Sequence, residues 1–214
     1  AELNNENLEA LEKGLPNLLQ HVDNVKNVYG LPCVVAVNAF PTDTAAELAL
    51  VESKCRELGV NVRLSEVWAK GGEGGLALAE EVVRLCDEPN HFQFVYDVND
   101  SIEDKLNAIA TKVYHADGVV IAASAKKQLK QLTELGFDKL PICMAKTQFS
   151  FSDDASKLGA PRGFKITVRD LKVNAGAGFL VAKTGDIMTM PGLPKVPSAE
   201  KIDVDENGKI TGLF

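Results

Sequence analysis

The 214-residue sequence lacks the patterns that most readily assign a protein to a class. Its four cysteines are too far apart to form a CxxC pair, which excludes a zinc ribbon or a thioredoxin-type redox motif. It has no signal-peptide pattern and no apolar run near the roughly 18–20 residues that a membrane-spanning helix needs. We therefore expect a cytoplasmic protein with no membrane partner, and we expect its cysteines to be free and buried among apolar side chains. The cysteines are Cys33, Cys55, Cys86 and Cys143.

Clustered charge and metal-ligand spacing are also missing. The 23 basic and 30 acidic residues give a formal charge of −7 and are interspersed, so no basic stripe indicates a nucleic-acid partner. The three histidines, His21, His91 and His115, are isolated from one another, so the sequence predicts no metal site. With 45% hydrophobic residues, the composition is that of an ordinary globular protein.

Short apolar runs alternate with segments of helical periodicity, and this alternation predicts the fold class. It indicates an α/β fold with a mostly parallel sheet and helices on both faces, followed by a C-terminal segment rich in strands and loops. The predicted strands are residues 31–38, 60–67, 92–98, 117–122, 141–146, 164–173 and 179–190.

The chain divides into three regions by pattern. Residues 1–30 form an N-terminal helical segment, in which Pro16 predicts a break between two helices. Residues 31–146 carry the α/β alternation. Residues 147–214 begin with an unusually long loop, and a loop of that length is often functional.

Phe40 and Trp68 directly follow two of the predicted strands. Neighbouring parallel strands end at the same edge of a sheet, which is where ligands bind in open α/β folds. Consecutive strands are usually neighbours, and if these two are, the rings share that edge and could hold a flat ligand there. Trp68 is the only tryptophan in the chain. The alternative for Phe40 is a hydrophobic residue that anchors its own loop.

Three other loops carry residue types suited to binding. GGEGG (71–75) is either a tight turn or, with Lys70 beside it, a loop whose main-chain N–H groups meet an anion. It lacks the Lys-Ser/Thr of a phosphate loop. Lys146 and Arg162 are either solvated loop charges or contacts for a phosphate or carboxylate group. No nucleophile motif is present, and we assign no catalytic residue.

Several long strings in the chain are specific to one family. The motifs LPCVVAVNAFPTDT, VWAKGGEGG, LPICMAKTQFSFSDD, GAPRGFKITVRD and TGDIMTMPGLPKVPSAEKIDVDENGKITGLF resemble those of the formate–tetrahydrofolate ligase family. The resemblance runs from about Leu15 to Phe214 without a break. It implies ATP-dependent formylation of tetrahydrofolate through formyl phosphate, a ligase reaction of one-carbon metabolism and purine biosynthesis. It also implies a homotetramer whose small-molecule partners are tetrahydrofolate, formate and ATP.

The resemblance further implies the residues of the site. The family's pterin ring lies between an aromatic residue and a tryptophan that match Phe40 and Trp68. Leu64 matches a position that packs near the same ring, and Gly71 and Gly72 lie beside the pocket. The family's stretch that approaches the nucleotide base matches Gly159, Ala160, Pro161 and Arg162.

The chain departs from the family in one respect. The family carries a phosphate loop with a GEGKS/T core in its N-terminal part, and the 214 residues contain none. The chain therefore resembles only the C-terminal, folate-binding portion. We expect ATP with Mg²⁺ to be bound mainly by the N-terminal part, and the chain alone to lack full activity. The alternative is a non-catalytic module that binds a pterin or another small molecule, or that serves in subunit assembly.

Overall fold

The computed structural model describes residues 5–185, 187 and 195–212. The α-helices are α1 (Leu8–Asp23), α2 (Ala45–Glu57), α3 (Val67–Lys70), α4 (Leu76–Cys86), α5 (Ile102–Ala108) and α6 (Ala123–Glu134). The strands are β1 (Val34–Asn38), β2 (Asn61–Ser65), β3 (Val119–Ile121), β4 (Ile142–Ala145), β5 (Ile166–Asn174), β6 (Phe179–Thr184), β7 (Asp203–Val204) and β8 (Ile210–Thr211). Short turns of other helical types are Asn24–Val28 after α1, Gly71–Gly75 between α3 and α4, Ile109–Val113 after α5, and Ser198–Glu200. No helix in these ranges is long and apolar enough to cross a membrane.

The described strands form three separate sheets, and the predicted α/β class is confirmed. β1 and β2 form a parallel pair, and β7 and β8 form a hairpin. The second sheet has the order β3-β5-β6-β4, in which β5 is antiparallel to β6 and each pairs in parallel with an edge strand. The strands thus do not form one mostly parallel sheet, because a tight turn at Gly178 (φ +75°) makes β5 and β6 a hairpin.

The first sheet has helices on both faces, as predicted. On one face, Val35 and Val62 pack in an apolar cluster that includes side chains of α1 and α2. Side chains alternate along a strand, so Arg63 lies on the opposite face. There its guanidinium binds Glu81 of α4 at 2.9 Å.

The second sheet packs against α5 and α6. Its core consists of Ile102 and Leu106 from α5, Ala125 and Leu132 from α6, and Ile121, Val168, Leu171, Leu180 and Ala182 from the strands. Removing such side chains from water stabilises a fold by about 25 cal/mol per Å² of apolar surface. Lys105 of α5 is fully buried, and its Nζ donates to the main-chain oxygens of Asp138 (2.6 Å) and Leu140 (3.1 Å).

Residues 92–98 are not a strand, contrary to the prediction. Their hydrogen bonds do not pair them with a neighbouring strand. The Gln93 N–H donates to the Tyr29 oxygen (3.1 Å), and the Tyr96 hydroxyl accepts from the Ile142 N–H (2.9 Å). The alternating sequence FQFVYDV therefore forms an extended connection. Phe94 projects into solvent, in edge contact with the ring of Phe92.

Two further predictions about local structure were wrong. α1 is one helix that contains Pro16, although an internal proline costs about 3 kcal/mol or more. Burial of Leu15 and Val22 on that helix favours the continuous form. Cys86 and Cys143 are exposed rather than buried, because each lies on the outward face of its helix or strand.

The predicted strand at residues 179–190 is shorter than expected within the described part of the chain. β6 ends at Thr184, and Gly185 follows in a bend with φ +60°. Residues 186 and 188–190 lie outside the described residues, as do residues 191–194 of the Pro/Gly-rich loop.

Candidate ligand-binding site

The loops that carry Phe40 and Trp68 leave the first sheet at one edge. β1 and β2 are parallel, and their last paired residues are Asn38 and Ser65. The Ala39 N–H extends the pairing by donating to the Ser65 oxygen at 3.1 Å. The adjacency on which the predicted aromatic pair depends is therefore present.

The loop after β1 is held by its own polar residues. Phe40 N–H donates to the Asp43 carboxylate (2.8 Å), and Asp43 N–H donates back to the Phe40 oxygen (3.0 Å). Thr44 then begins α2 in a capping box with Glu47, in which each side chain accepts a hydrogen bond from the other residue's N–H. These hydrogen bonds lower the pKa of Glu47. The main chain at Phe40 is thus fixed between a strand and a capped helix.

The loop after β2 turns back on itself through Glu66. Its N–H donates to the Gly74 oxygen (3.1 Å), and its oxygen accepts from the Lys70 N–H (2.9 Å). The Lys70 ammonium also lies 2.7 Å from the Glu66 carboxylate. A Cβ on Gly74 would lie 2.5 Å from the Glu66 oxygen, so only glycine fits at that position. GGEGG is therefore a packed turn between α3 and α4.

Phe40 and Trp68 form a stacked pair at this edge. Their ring centroids are 6.5 Å apart and their planes are inclined by 25°. Each side chain is 58% exposed, which is unusual for large aromatic residues. The Trp68 indole Nε1–H donates to the Ala39 oxygen at 2.8 Å, and so connects the two loops. The arrangement is a solvent-exposed aromatic pair, called here the aromatic slot.

The other residues of the predicted folate pocket lie on the same elements. Leu64 pairs with Val37 one residue before the end of β2 and is exposed. Gly71 and Gly72 are exposed in the turn after α3, with open space where a side chain would be. Gly71 has φ +60°, a conformation that favours glycine.

A buried carboxylate that the sequence did not reveal holds α4 against β2, at the start and middle of that strand. The Glu81 carboxylate accepts hydrogen bonds from the side chains of Asn61 (2.7 Å), Arg84 (2.7 Å) and Arg63 (2.9 Å), and it forms ion pairs with both arginines. The Arg84 and Asn61 hydrogen bonds lower the pKa of Glu81 to about 2. Two donors at alternate positions of a strand, Asn61 and Arg63, are the signal that could have predicted an acidic partner on the next helix.

The family model described as formate–tetrahydrofolate ligase matches residues 1–214. The chain belongs to the formate–tetrahydrofolate ligase family. The family is that of a ligase of one-carbon metabolism, whose substrates are formate and tetrahydrofolate and which uses ATP. A flat, exposed aromatic slot at a sheet edge is the kind of site that suits the pterin ring of such a substrate.

The two loop cations considered in the sequence analysis as contacts for a phosphate or carboxylate group, Lys146 and Arg162, both make hydrogen bonds within the chain. The Lys146 ammonium donates to the main-chain oxygens of Thr147 (2.7 Å), Ser150 and Ser152 (3.5 Å). Burial lowers its pKa. Arg162 donates to the Gln20 side-chain oxygen at 2.6 Å. Lys146 could therefore reach a nucleotide phosphate only by giving up these hydrogen bonds, whereas Arg162 is exposed and its hydrogen bonds to other described residues use only Nη1.

The predicted nucleotide-adjacent stretch lies against α1. The Asn17 side chain donates to the Gly159 oxygen (2.9 Å), Ala160 and Pro161 are half-buried, and Arg162 is exposed. The hydrogen bonds of this stretch thus connect it to the N-terminal helix, and among the described residues none connects it to the aromatic slot.

Two other findings delimit the site. A cavity of about 850 Å³ lies elsewhere and is lined by Tyr29, Tyr96, Tyr114 and Met144 among others. Within residues 5–185, 187 and 195–212, no group of three or more His, Cys, Asp or Glu side chains could hold a metal ion.

Proposed function

We propose that this chain provides the tetrahydrofolate-binding surface of formate–tetrahydrofolate ligase. Phe40 and Trp68 lie on opposite faces of the pterin ring, Leu64 packs near it, and the main chain at Gly71 and Gly72 borders the pocket. The observation that carries the proposal is the exposed stacked pair at the carboxyl edge of β1 and β2.

The spacing of the two rings sets what a flat ligand requires. Stacked carbon atoms lie about 3.5 Å apart, so a ring between two aromatic walls needs about 7 Å between their planes. The centroids of Phe40 and Trp68 are 6.5 Å apart. This centroid distance is an upper limit on the separation of the two ring planes, so the two walls must move apart to accept a pterin.

The contribution of this chain to the reaction is orientation of the folate. N10 of tetrahydrofolate attacks the carbonyl carbon of formyl phosphate, the new C–N bond forms, and the C–O bond to phosphate breaks. Inorganic phosphate leaves and N10 loses its proton. Holding the pterin in a fixed slot limits the positions that N10 can take, which is how orientation lowers a bimolecular barrier. No side chain of the slot is assigned as a catalytic acid or base.

Activation of formate requires groups beyond this slot. The chain has no phosphate loop, and Lys146 and Arg162 are engaged internally. We therefore propose that ATP and Mg²⁺ are bound mainly by an N-terminal part of the parent enzyme, a cytoplasmic homotetramer. Residues 159–162 only approach the nucleotide base. On this proposal the chain alone binds folate without turnover.

Calorimetric titration with tetrahydrofolate tests the slot. Trp68→Ala and Phe40→Ala are each expected to weaken binding by roughly 5- to 150-fold, since stacking a heterocycle on one aromatic side chain contributes about 1–3 kcal/mol. Phe149→Ala is the matched control, because Phe149 is 56% exposed, like Phe40, and lies in another loop. Unchanged affinity in Trp68→Ala would refute the slot.

An activity assay separates the proposal from its alternative. The intact parent enzyme carrying Trp68→Ala is assayed for formate- and ATP-dependent formation of 10-formyltetrahydrofolate. We expect a raised KM for tetrahydrofolate with unaltered KM values for formate and ATP. Folate binding by this chain, with an unaltered KM in the variant enzyme, would instead favour a non-catalytic pterin module.

A further inference from the structure

We infer that the aromatic slot is closed in the free protein and opens from one side only, with Trp68 as the fixed wall and Phe40 as the moving wall. This inference rests on the proposed function and specifies how the same site accepts its ligand. It assigns a positioning role to the Ala39 carbonyl group, which contacts the indole rather than the folate.

Trp68 is fixed first by its side chain. Its Nε1–H, the only polar group of the indole, donates to the Ala39 oxygen at 2.8 Å. Ala39 is itself held by the hydrogen bond from its N–H to Ser65 of β2. Rotating the indole away from its present position would therefore break a hydrogen bond to a main-chain group that belongs to the extended strand pairing.

Trp68 is fixed a second time by its main chain. It lies in α3, a single turn held by the main-chain oxygen of Glu66, which accepts from the N–H groups of Ala69 (3.0 Å) and Lys70 (2.9 Å). The Lys70–Glu66 ion pair spans the same turn. Close contact between Glu66 and Gly74 leaves no room for the turn to shift towards α4.

Phe40 has no comparable restraint on its ring. Its main chain is bound to Asp43, but its side chain has no polar atom and is 58% exposed. Its ring contact with Trp68, at a centroid distance of 6.5 Å, is near the outer limit of about 7 Å for aromatic pairs. Rotation about the side-chain bonds can move this ring without breaking a hydrogen bond.

A ligand ring requires such a movement. The distance between the two ring planes cannot exceed the 6.5 Å between their centroids, and a sandwiched ring needs about 7 Å. The planes are also inclined by 25°, so one ring must turn before both can lie flat on a guest. Since Trp68 is bound and Phe40 is not, Phe40 makes both adjustments.

The single tryptophan makes the test direct. The protein gives one indole N–H signal in a ¹H–¹⁵N spectrum, and it belongs to Trp68. We expect this proton to exchange slowly with solvent in the free protein and to remain slow at saturating tetrahydrofolate. A 4-fluorophenylalanine incorporated at position 40 is expected to change its ¹⁹F shift on binding. Fast exchange in the free protein, or faster exchange on binding, would contradict the fixed wall.

Variants add a second readout. Trp68→Phe keeps an aromatic ring but removes the N–H, and we expect about three- to tenfold weaker folate binding, the usual effect of one hydrogen bond. Phe149→Tyr changes an exposed aromatic ring in another loop, outside the slot, and serves as the control, with affinity within about twofold of the wild type. Equal affinities in both variants would overturn the role of the Ala39 carbonyl.

The outcomes separate this inference from the proposed function. If neither the indole signal nor the ¹⁹F signal responds to tetrahydrofolate and calorimetry detects no binding, the proposed function fails and the inference fails with it. If folate binds but the indole loses its protection while the fluorine shift is unchanged, the function stands and Trp68, not Phe40, is the moving wall.

Discussion

Replacing Lys105 by methionine removes a buried ammonium while keeping a side chain of similar length. In the wild type, Nζ donates to the main-chain oxygens of Asp138 and Leu140, in the loop that leads into β4. The variant leaves both oxygens without this partner. An unsatisfied buried acceptor costs about 1–3 kcal/mol, and the lower value applies because both residues are only half-buried. The two oxygens together predict a loss of about 2 kcal/mol in the free energy of unfolding.

One effect opposes this loss. Burying an ammonium is costly, and burial is the main reason that the pKa of Lys105 is lowered. Methionine removes that cost and leaves no cavity, because its flexible side chain fills similar space. We expect the loss of the hydrogen bonds to outweigh the removal of this burial cost, since the Lys105 ammonium donates to two oxygens at 2.6 and 3.1 Å.

Urea unfolding followed by far-UV circular dichroism measures the difference. With a slope of about 2 kcal/mol per M, a loss of about 2 kcal/mol lowers the unfolding midpoint by roughly 1 M. Lys139→Met is the matched control: it removes the same charge from the neighbouring loop, but its side chain is exposed, so we expect a change within about 0.5 kcal/mol. A Lys105→Met protein as stable as the control, or more stable, would refute the reasoning.

The pH dependence of this difference has a definite sign. Because the pKa of Lys105 is lower in the folded protein than in the unfolded chain, the unfolded state binds more protons between those two pKa values. Wild-type stability therefore rises, relative to that of Lys105→Met, as the pH increases towards the unfolded lysine pKa of about 10.4. A difference that shrinks over the alkaline range would contradict the lowered pKa.

Three further predictions follow from individual positions. Gly74→Ala is expected to destabilise the protein by about 1–3 kcal/mol in urea unfolding, because the new methyl group meets a main-chain oxygen at 2.5 Å, whereas Gly72→Ala has open space and serves as the control. Glu81→Gln is expected to be less stable than the wild type near neutral pH but not in strong acid: the lowered Glu81 pKa of about 2 stabilises the wild type above the ordinary glutamate pKa, and this advantage is lost as the pH falls towards 2, so the two acid-unfolding curves should converge there. Cys86 and Cys143 are expected to react with a thiol reagent in the native state before the other two cysteines, and a native protein with four equally slow thiols would contradict their exposure.

The aromatic slot was the part of the site that sequence could predict best. Phe40 and Trp68 follow apolar runs that were expected to pair, and parallel strands bring their carboxyl ends together whatever their exact lengths. The hydrogen bond from Trp68 to Ala39 could not be predicted in this way, because it depends on the orientation of one side chain. Strand adjacency follows from pattern, whereas a side-chain contact depends on the detailed geometry of two loops.

The segment at residues 92–98 shows why an alternating pattern can mislead. Alternation predicts which side chains face inward, but it does not tell whether a neighbouring strand is available for pairing. Here the Gln93 N–H donates to the main-chain oxygen of Tyr29, and the Tyr96 hydroxyl accepts a hydrogen bond from the N–H of Ile142 in β4. Hydrogen bonds to a turn and to a tyrosine hydroxyl therefore take the place of the predicted strand pairing.

Helix α4 shows a second limit. Its apolar residues align on one face, which the usual interpretation turns towards the core. In the structure Leu76 and Val83 are 59% and 64% exposed, and Glu81 is buried instead. The donors on Arg63 and Asn61 make burial of that carboxylate favourable, and an argument based on hydrophobic pattern alone gives no weight to such partners.

The order of strands in the second sheet has a consequence for how the chain folds. β5 and β6 occupy its centre, although both follow β3 and β4 in sequence. During synthesis the outer strands leave the ribosome with no partner, and the sheet can assemble only after the hairpin has emerged. The β1–β2 pair, in contrast, is complete by residue 65. Since contacts between distant residues form slowly, we expect the slot region to gain structure early and the second sheet to limit the overall folding rate.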